Sequence, residues 1–138
     1  MLHVWGFKMR TFFVIAAAIA ATLSTAAASE LSCPATLDTD ETSGGMPVSY
    51  KFRYVSFFDG DPREMADLAP DEGPNPKVLE QRWQFTRSPD RPIVMVCRYH
   101  GTDRTIATEV PPDVQECRLE GLITDNGEVV GSPTLTCR

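Results

Sequence analysis

The sequence predicts a mainly β fold: a single small antiparallel sheet or sandwich-like domain with one short helix, stabilised by disulfides. Three observations predict it. Val48, Tyr50, Phe52 and Tyr54 alternate with polar residues, the period of a strand with one buried face. Turn formers are frequent, with 11 prolines and 9 glycines among 138 residues, which favours short strands over long helices. Four cysteines, an even number in a short chain, fit a disulfide framework. The length suits one domain, and 42% hydrophobic residues are too many for a disordered tail.

Residues 1–28 have the pattern of a secretory signal peptide. Lys8 and Arg10 give the positive start, and Thr11 to Leu23 is an uncharged, apolar run. That run is shorter than the roughly 20 residues that span a bilayer. Ala26-Ala27-Ala28 offers the small-residue cleavage site, and Met9 is an alternative start. Glu30-Leu31-Ser32 before Cys33 lacks the small residues of a lipid-attachment site, so a mature domain over 29–138 with no membrane insertion is expected. The alanine-rich leader points to a bacterial periplasmic or secreted protein.

Along the mature chain, residues 35–41 alternate weakly and predict an edge strand. Ser43-Gly44-Gly45 with Pro47 is a loop, and Val48–Tyr54 is the clearest strand. The alternation breaks over Val55–Phe58, the mark of a bulge or a strand end. Asp61, Pro62 and Glu64 then form a helix-start signal, with a cap, a proline at the first position and a capping-box glutamate. A helix over 62–68 follows, stopped by Pro70, with Met65 and Leu68 facing the core together. Residues 71–77, with two prolines and a glycine, read as loop. Residues 78–86 form a strand anchored by Leu79, Trp83 and Phe85. Ser88–Pro92 is a turn. Ile93–Tyr99 is almost continuously apolar and reads as the central strand. Residues 105–110 return, and 118–123 with 134–137 close a hairpin about Asn126-Gly127. The sum is six or seven strands.

That last hairpin brings Cys117 opposite residue 136 or 137. It favours Cys117–Cys137 and leaves Cys33–Cys97 to tie the N-terminal strand to the central one. The pairing Cys97–Cys117 with Cys33–Cys137 stays open, because sequence does not choose among connectivities. No C-x-x-C occurs, so neither a dithiol redox pair nor a zinc knuckle is indicated, and no metal or cofactor is expected.

Candidate chemistry is sparse. His100 near Asp103 lacks a nucleophile motif, so a polar turn is the expected role. Asp59, Asp61, Glu64, Asp67 and Asp71, with Glu72, form an acidic segment. It fails the calcium-loop spacing because Arg63 takes the fifth place. It remains a candidate binding surface, or a source of paired carboxylates for hydrolysis if two face one pocket. Tyr50, Phe52, Tyr54, Trp83 and Phe85 have strand spacing and are expected mainly in the core. Met46, Met65 and Met95 are scattered and suit packing rather than copper.

Three stretches carry a resemblance: Val55–Asp71 (VSFFDGDPREMADLAPD), Val96–Thr102 (VCRYHGT) and Val110–Cys117 (VPPDVQEC). With Cys33-Pro34 and Trp83, the chain resembles a family of small exported proteobacterial proteins. The resemblance implies a periplasmic, disulfide-bearing domain and supplies no catalytic residue.

Charge narrows the function. The formal charge is −6 and the acidic residues number 19. All of these lie beyond residue 29, so losing Lys8 and Arg10 leaves the mature chain at −8. Such a surface argues against nucleic acid and attracts basic partners. The sequence therefore points to a non-enzymatic periplasmic binding module with a basic protein partner, with lysozyme as a concrete case. The alternatives are a small carboxylate-dependent hydrolase and a structural cell-envelope protein.

Overall fold

A computed structural model describes residues 30–138. The expected signal peptide, residues 1–28, lies outside them. Eight strands form two antiparallel sheets of four, more strands than the six or seven predicted. The first sheet has the order β1-β2-β5-β6 and the second β3-β4-β7-β8.

In the first sheet, β1 (Thr36–Ser43) and β2 (Met46–Asp59) are joined by Gly44-Gly45. Both glycines have positive φ, 61° and 81°, as a two-residue hairpin turn requires. β5 (Ile93–Tyr99) lies between β2 and β6 (Thr105–Glu109). Its odd residues Ile93, Met95, Cys97 and Tyr99 are all buried and face Val55 and Phe57 across the ladder. In the second sheet, β4 (Val78–Gln84) pairs with β7 (Glu116–Ile123), and β7 with β8 (Val129–Cys137). β3 is only Asp71–Glu72, within a segment read as loop, and pairs with Arg82 and Gln81.

The sheets share one core. Phe57 of β2 meets Trp83 of β4 at 4.9 Å and Phe85 at 5.1 Å between ring centroids. Leu119, Val110 and Leu31 close around them. Trp83 also donates its indole N–H to the Leu68 carbonyl at 2.9 Å, so the buried ring loses no polar contact.

Two disulfides brace this frame. Cys33–Cys97 ties the segment before β1 to the middle of β5. Cys117–Cys137 joins directly paired residues of β7 and β8, the arrangement favoured by the Asn126-Gly127 hairpin.

Two local expectations are corrected. β2 continues past Tyr54, and its irregularity sits earlier than the break in alternation. Phe52 pairs with Tyr99 but Tyr54 with Arg98, so Arg53 is an extra residue. The bulge switches the buried face from Phe52 to Val55 and Phe57, and Tyr54 is turned outward to 39% exposure. The second correction concerns the helix over 62–68, which is a single 3-10 turn, Pro62–Glu64. Met65 ends it in the left-handed conformation, φ 60°, and is 80% exposed instead of facing the core. Leu68 does pack against the core. The physical reason is competition from β2: the Asp59 amide donates to Ala66 O at 3.0 Å and the Leu68 amide to Phe57 O at 2.8 Å. A helix over 66–68 would forfeit both bonds.

Candidate functional site: an acidic excursion braced by Arg91

The segment 60–70 leaves β2, turns once, and comes back along the β2 edge, with Phe58 and Asp67 bridging. It then crosses to the second sheet at β3. The local chemistry explains the turn. Asp61 accepts the Arg63 amide at 2.9 Å, Pro62 occupies the first turn, and the Glu64 amide donates to Asp61 O. Glu64 does not reach back to close a capping box. Its carboxylate accepts from Arg91 at 2.7 Å.

Arg91, from the turn read as Ser88–Pro92, organises the excursion. Besides Glu64 it approaches the Asp59 carboxylate at 3.4 Å and donates to the Asp59 carbonyl. Gly60, at φ 89°, lies directly against it and donates its amide to Pro92 O at 2.8 Å. Hydrogen bonding to Glu64 raises the Arg91 pKa still further above its ordinary value. Nothing in the local sequence flags Arg91. Its role appears only when β2 and β5 are laid side by side, with Asp59 opposite Ile93.

The five acidic candidates therefore have different surroundings. Asp59 and Glu64 are brought together on Arg91. Asp61 is held by the Arg63 guanidinium, through bonds to both carboxylate oxygens, and this lowers its pKa from 3.8 to about 2. Asp71 stands 4.0 Å from Arg82 in the second sheet. Asp67 is exposed and forms no ion pair among the described residues. No group of three or more His, Cys, Asp or Glu among the described residues is placed to hold a metal.

A shallow groove of about 480 Å³ has Arg91 in its lining, with Arg87, Pro92, Glu109, Val110 and Pro112 among others. None of the five carboxylates lines it. Arg87 braces its floor by donating to Pro111 O at 2.7 Å and Val114 O at 2.6 Å. A second ionic centre lies at the start of β7, where buried Glu116 accepts from Arg118 at 2.9 Å and Arg138 at 3.1 Å. Those arginines, Arg118 foremost, lower its pKa. His100 is an exposed residue beside Gly101 in the β5–β6 turn.

Residues 46–138 match the Type VI secretion system Tli immunity protein family. The chain belongs to this family. The match takes in all of both sheets except β1. Such a protein works by binding a partner protein, so this immunity-family chain is a non-enzymatic binding module, and the hydrolase alternative is overturned. The geometry agrees: Asp59 and Glu64 share Arg91, Asp61 is held by Arg63, Asp71 faces Arg82 in the other sheet, and none of the five carboxylates lines the groove. A relative of uncharacterised role, a 16.3 kDa protein in the trpG 5' region of Azospirillum brasilense, is 28% identical over 145 residues, covering 91% of this chain and 93% of its own length. No solved structure matches. No helix among the described residues is long and apolar enough to cross a membrane.

Proposed function

We propose that this immunity protein is exported to the periplasm and protects its own cell there by binding and silencing a type VI secretion effector. The family match over residues 46–138 carries the reading. Two further features support the compartment. The leader over 1–28 has the charge and hydrophobicity pattern of a cleaved signal, and disulfides such as Cys33–Cys97 and Cys117–Cys137 persist in oxidising surroundings.

The partner in this reading is a basic protein. A mature charge of −8 steers a cationic surface into encounter and suppresses acidic competitors. The excursion supplies contact area. Met65 is an apolar knob, 80% exposed, with Asp61, Glu64 and Asp67 close in sequence, on a backbone that Arg91 and the β2 edge hold still. An exposed, adaptable apolar side chain on a braced backbone, with charge nearby in sequence, is suited to a partner's shallow pocket. A basic muramidase such as lysozyme rests on charge complementarity alone, and titration at low and moderate salt tests it.

Competition between sister strains is the decisive experiment. A strain lacking this chain is expected to be killed by its type VI-armed parent and spared by a parent whose apparatus is disabled. Complementation with the full chain should restore survival, and complementation without residues 1–28 should not. Equal survival of the deletion strain against armed and disarmed parents would overturn the reading.

A further inference from the structure

The bulge at Arg53 builds a second surface, unlike the rest of this acidic chain. It turns Tyr54 outward beside Arg98, its partner across the ladder. Arg53 and Arg98 both lie over the Tyr54 ring, at 5.4 Å and 5.7 Å from its centroid. Neither guanidinium forms an ion pair among the described residues, whereas Arg63, Arg82, Arg91, Arg104, Arg118 and Arg138 all do. In a domain at −8, two arginines that share one ring and form no ion pair leave this spot net positive, with Asp103 the one carboxylate in the lining beside them and Ser56 Oγ accepting from Arg98 Nε at 3.5 Å. Beside them opens a hollow of about 190 Å³, lined by Arg53, Tyr54, Arg98, Thr102, Asp103 and Thr105 among others.

We propose that Arg53, Tyr54 and Arg98 anchor the partner interface by seating a carboxylate side chain of the partner protein between the two guanidiniums. This rests on the immunity reading and adds the surface and the chemistry that it recognises. The guanidinium fork matches a carboxylate in two parallel hydrogen bonds, and the ring holds both forks in place by cation–π attraction. Thr102 and Thr105 add hydroxyls at the rim. The hollow is smaller than the roughly 300–1,000 Å³ of small-molecule sites and suits one side chain. Asp103, in the same lining, opposes an incoming anion, and opposes a dianion such as phosphate more than a monoanionic carboxylate. Tyr and Arg are also the residues most often found as binding hot spots. With the acidic excursion, this spot gives the domain patches of both signs, which fixes the register of a docked partner.

Two measurements on the full mature chain test the assignment. In an NMR titration at low salt, tetraglutamate is expected to shift the Arg53 and Arg98 Nε–Hε signals saturably. Tetralysine should leave them in place, and Arg98→Gln should weaken the response at least about tenfold. A response to inorganic phosphate but not to tetraglutamate, or a tetraglutamate response that survives R53Q/R98Q, overturns the assignment. In the strain competition, R53Q/R98Q with an unchanged melting curve is expected to lose protection. Full protection by that variant overturns this interface and leaves the immunity reading standing. Failure of the wild-type chain to protect overturns the immunity reading itself, while the titration still decides whether the hollow takes a carboxylate.

Discussion

Gly60 and Arg91 fit together as socket and peg: a Cβ on Gly60 would stand 2.6 Å from the Arg91 Nη2 atom. The glycine is needed twice, once for its φ of 89° and once for the space it leaves. Gly60→Ala is therefore expected to cost about 1–3 kcal/mol from backbone strain alone, lowering the melting temperature by at least about 4 °C. A thermal melt of the mature domain checks it.

Removing the peg has a different signature. Arg91→Met keeps the length of the side chain and deletes the bonds to Glu64 and to the Asp59 carbonyl. The excursion should loosen while the sheets stay closed. The Asp59 and Leu68 amides, which bond to Ala66 O and Phe57 O, should exchange at least about tenfold faster, with the β5 amides unchanged, because local opening is independent of the global core. Hydrogen exchange by NMR reads both.

Met65 holds a conformation that costs a non-glycine residue about 1–2 kcal/mol. Being 80% exposed, it has little packing to lose. Met65→Gly is expected to leave the domain as stable or up to about 1 kcal/mol more stable, the relief of strain being partly offset by glycine's greater unfolded-state freedom. Met65→Val should destabilise, since a β-branched residue is less tolerant of positive φ. If Met65 is the apolar contact proposed above, the glycine variant melts no lower than wild type and protects less.

The two disulfides should differ in weight. Loop-closure entropy grows with the chain enclosed, so a separation of 64 for Cys33–Cys97 corresponds to about 4 kcal/mol, and 20 for Cys117–Cys137 to about 3 kcal/mol. C33S/C97S should melt lower than C117S/C137S, and both lower than wild type. Equal melting of all three would mean that the sheets alone carry the fold.

Acid should weaken the domain in a defined window. The folded-state pKa values of Asp61 and Glu116 are depressed, by Arg63 and Arg118 first. A depressed carboxylate stabilises fully above its ordinary pKa and loses that contribution as pH falls through the folded value. For Asp61 the loss runs from 3.8 down to about 2. Glu116→Gln should melt lower than wild type near neutrality, and the gap should close as pH falls below the ordinary carboxylate range. Melting curves between neutral and strongly acidic pH test the sign.

Much of the frame was legible because it is written in local chemistry. Asn126-Gly127 places the β7–β8 hairpin and with it Cys117 opposite Cys137. The apolar run Ile93–Tyr99 becomes the most buried strand. What was not legible depends on contacts far apart in sequence. Tyr54 continues the even-numbered alternation of Val48, Tyr50 and Phe52, and an aromatic ring suits either face, so the break over Val55–Phe58 signals an irregularity but places it after Tyr54 instead of at Arg53. The cap signals at Asp61, Pro62 and Glu64 are real and start a turn. They cannot report that β2 offers Ala66 and Leu68 better partners than a helix would. The acidic run was visible as charge, but the residue that organises it, Arg91, lies 27 positions from Glu64.

The sulfur pairing has a consequence for biogenesis. The cysteines pair in chain order, the first with the second (Cys33–Cys97) and the third with the fourth (Cys117–Cys137), so neither loop encloses a cysteine of the other. In the export proposed above, a chain threaded through a translocon from its N-terminal end presents these thiols in the order of their bonds. An oxidase that links them as they emerge reaches the native arrangement directly, with no thiol–disulfide reshuffling and no need for an isomerase.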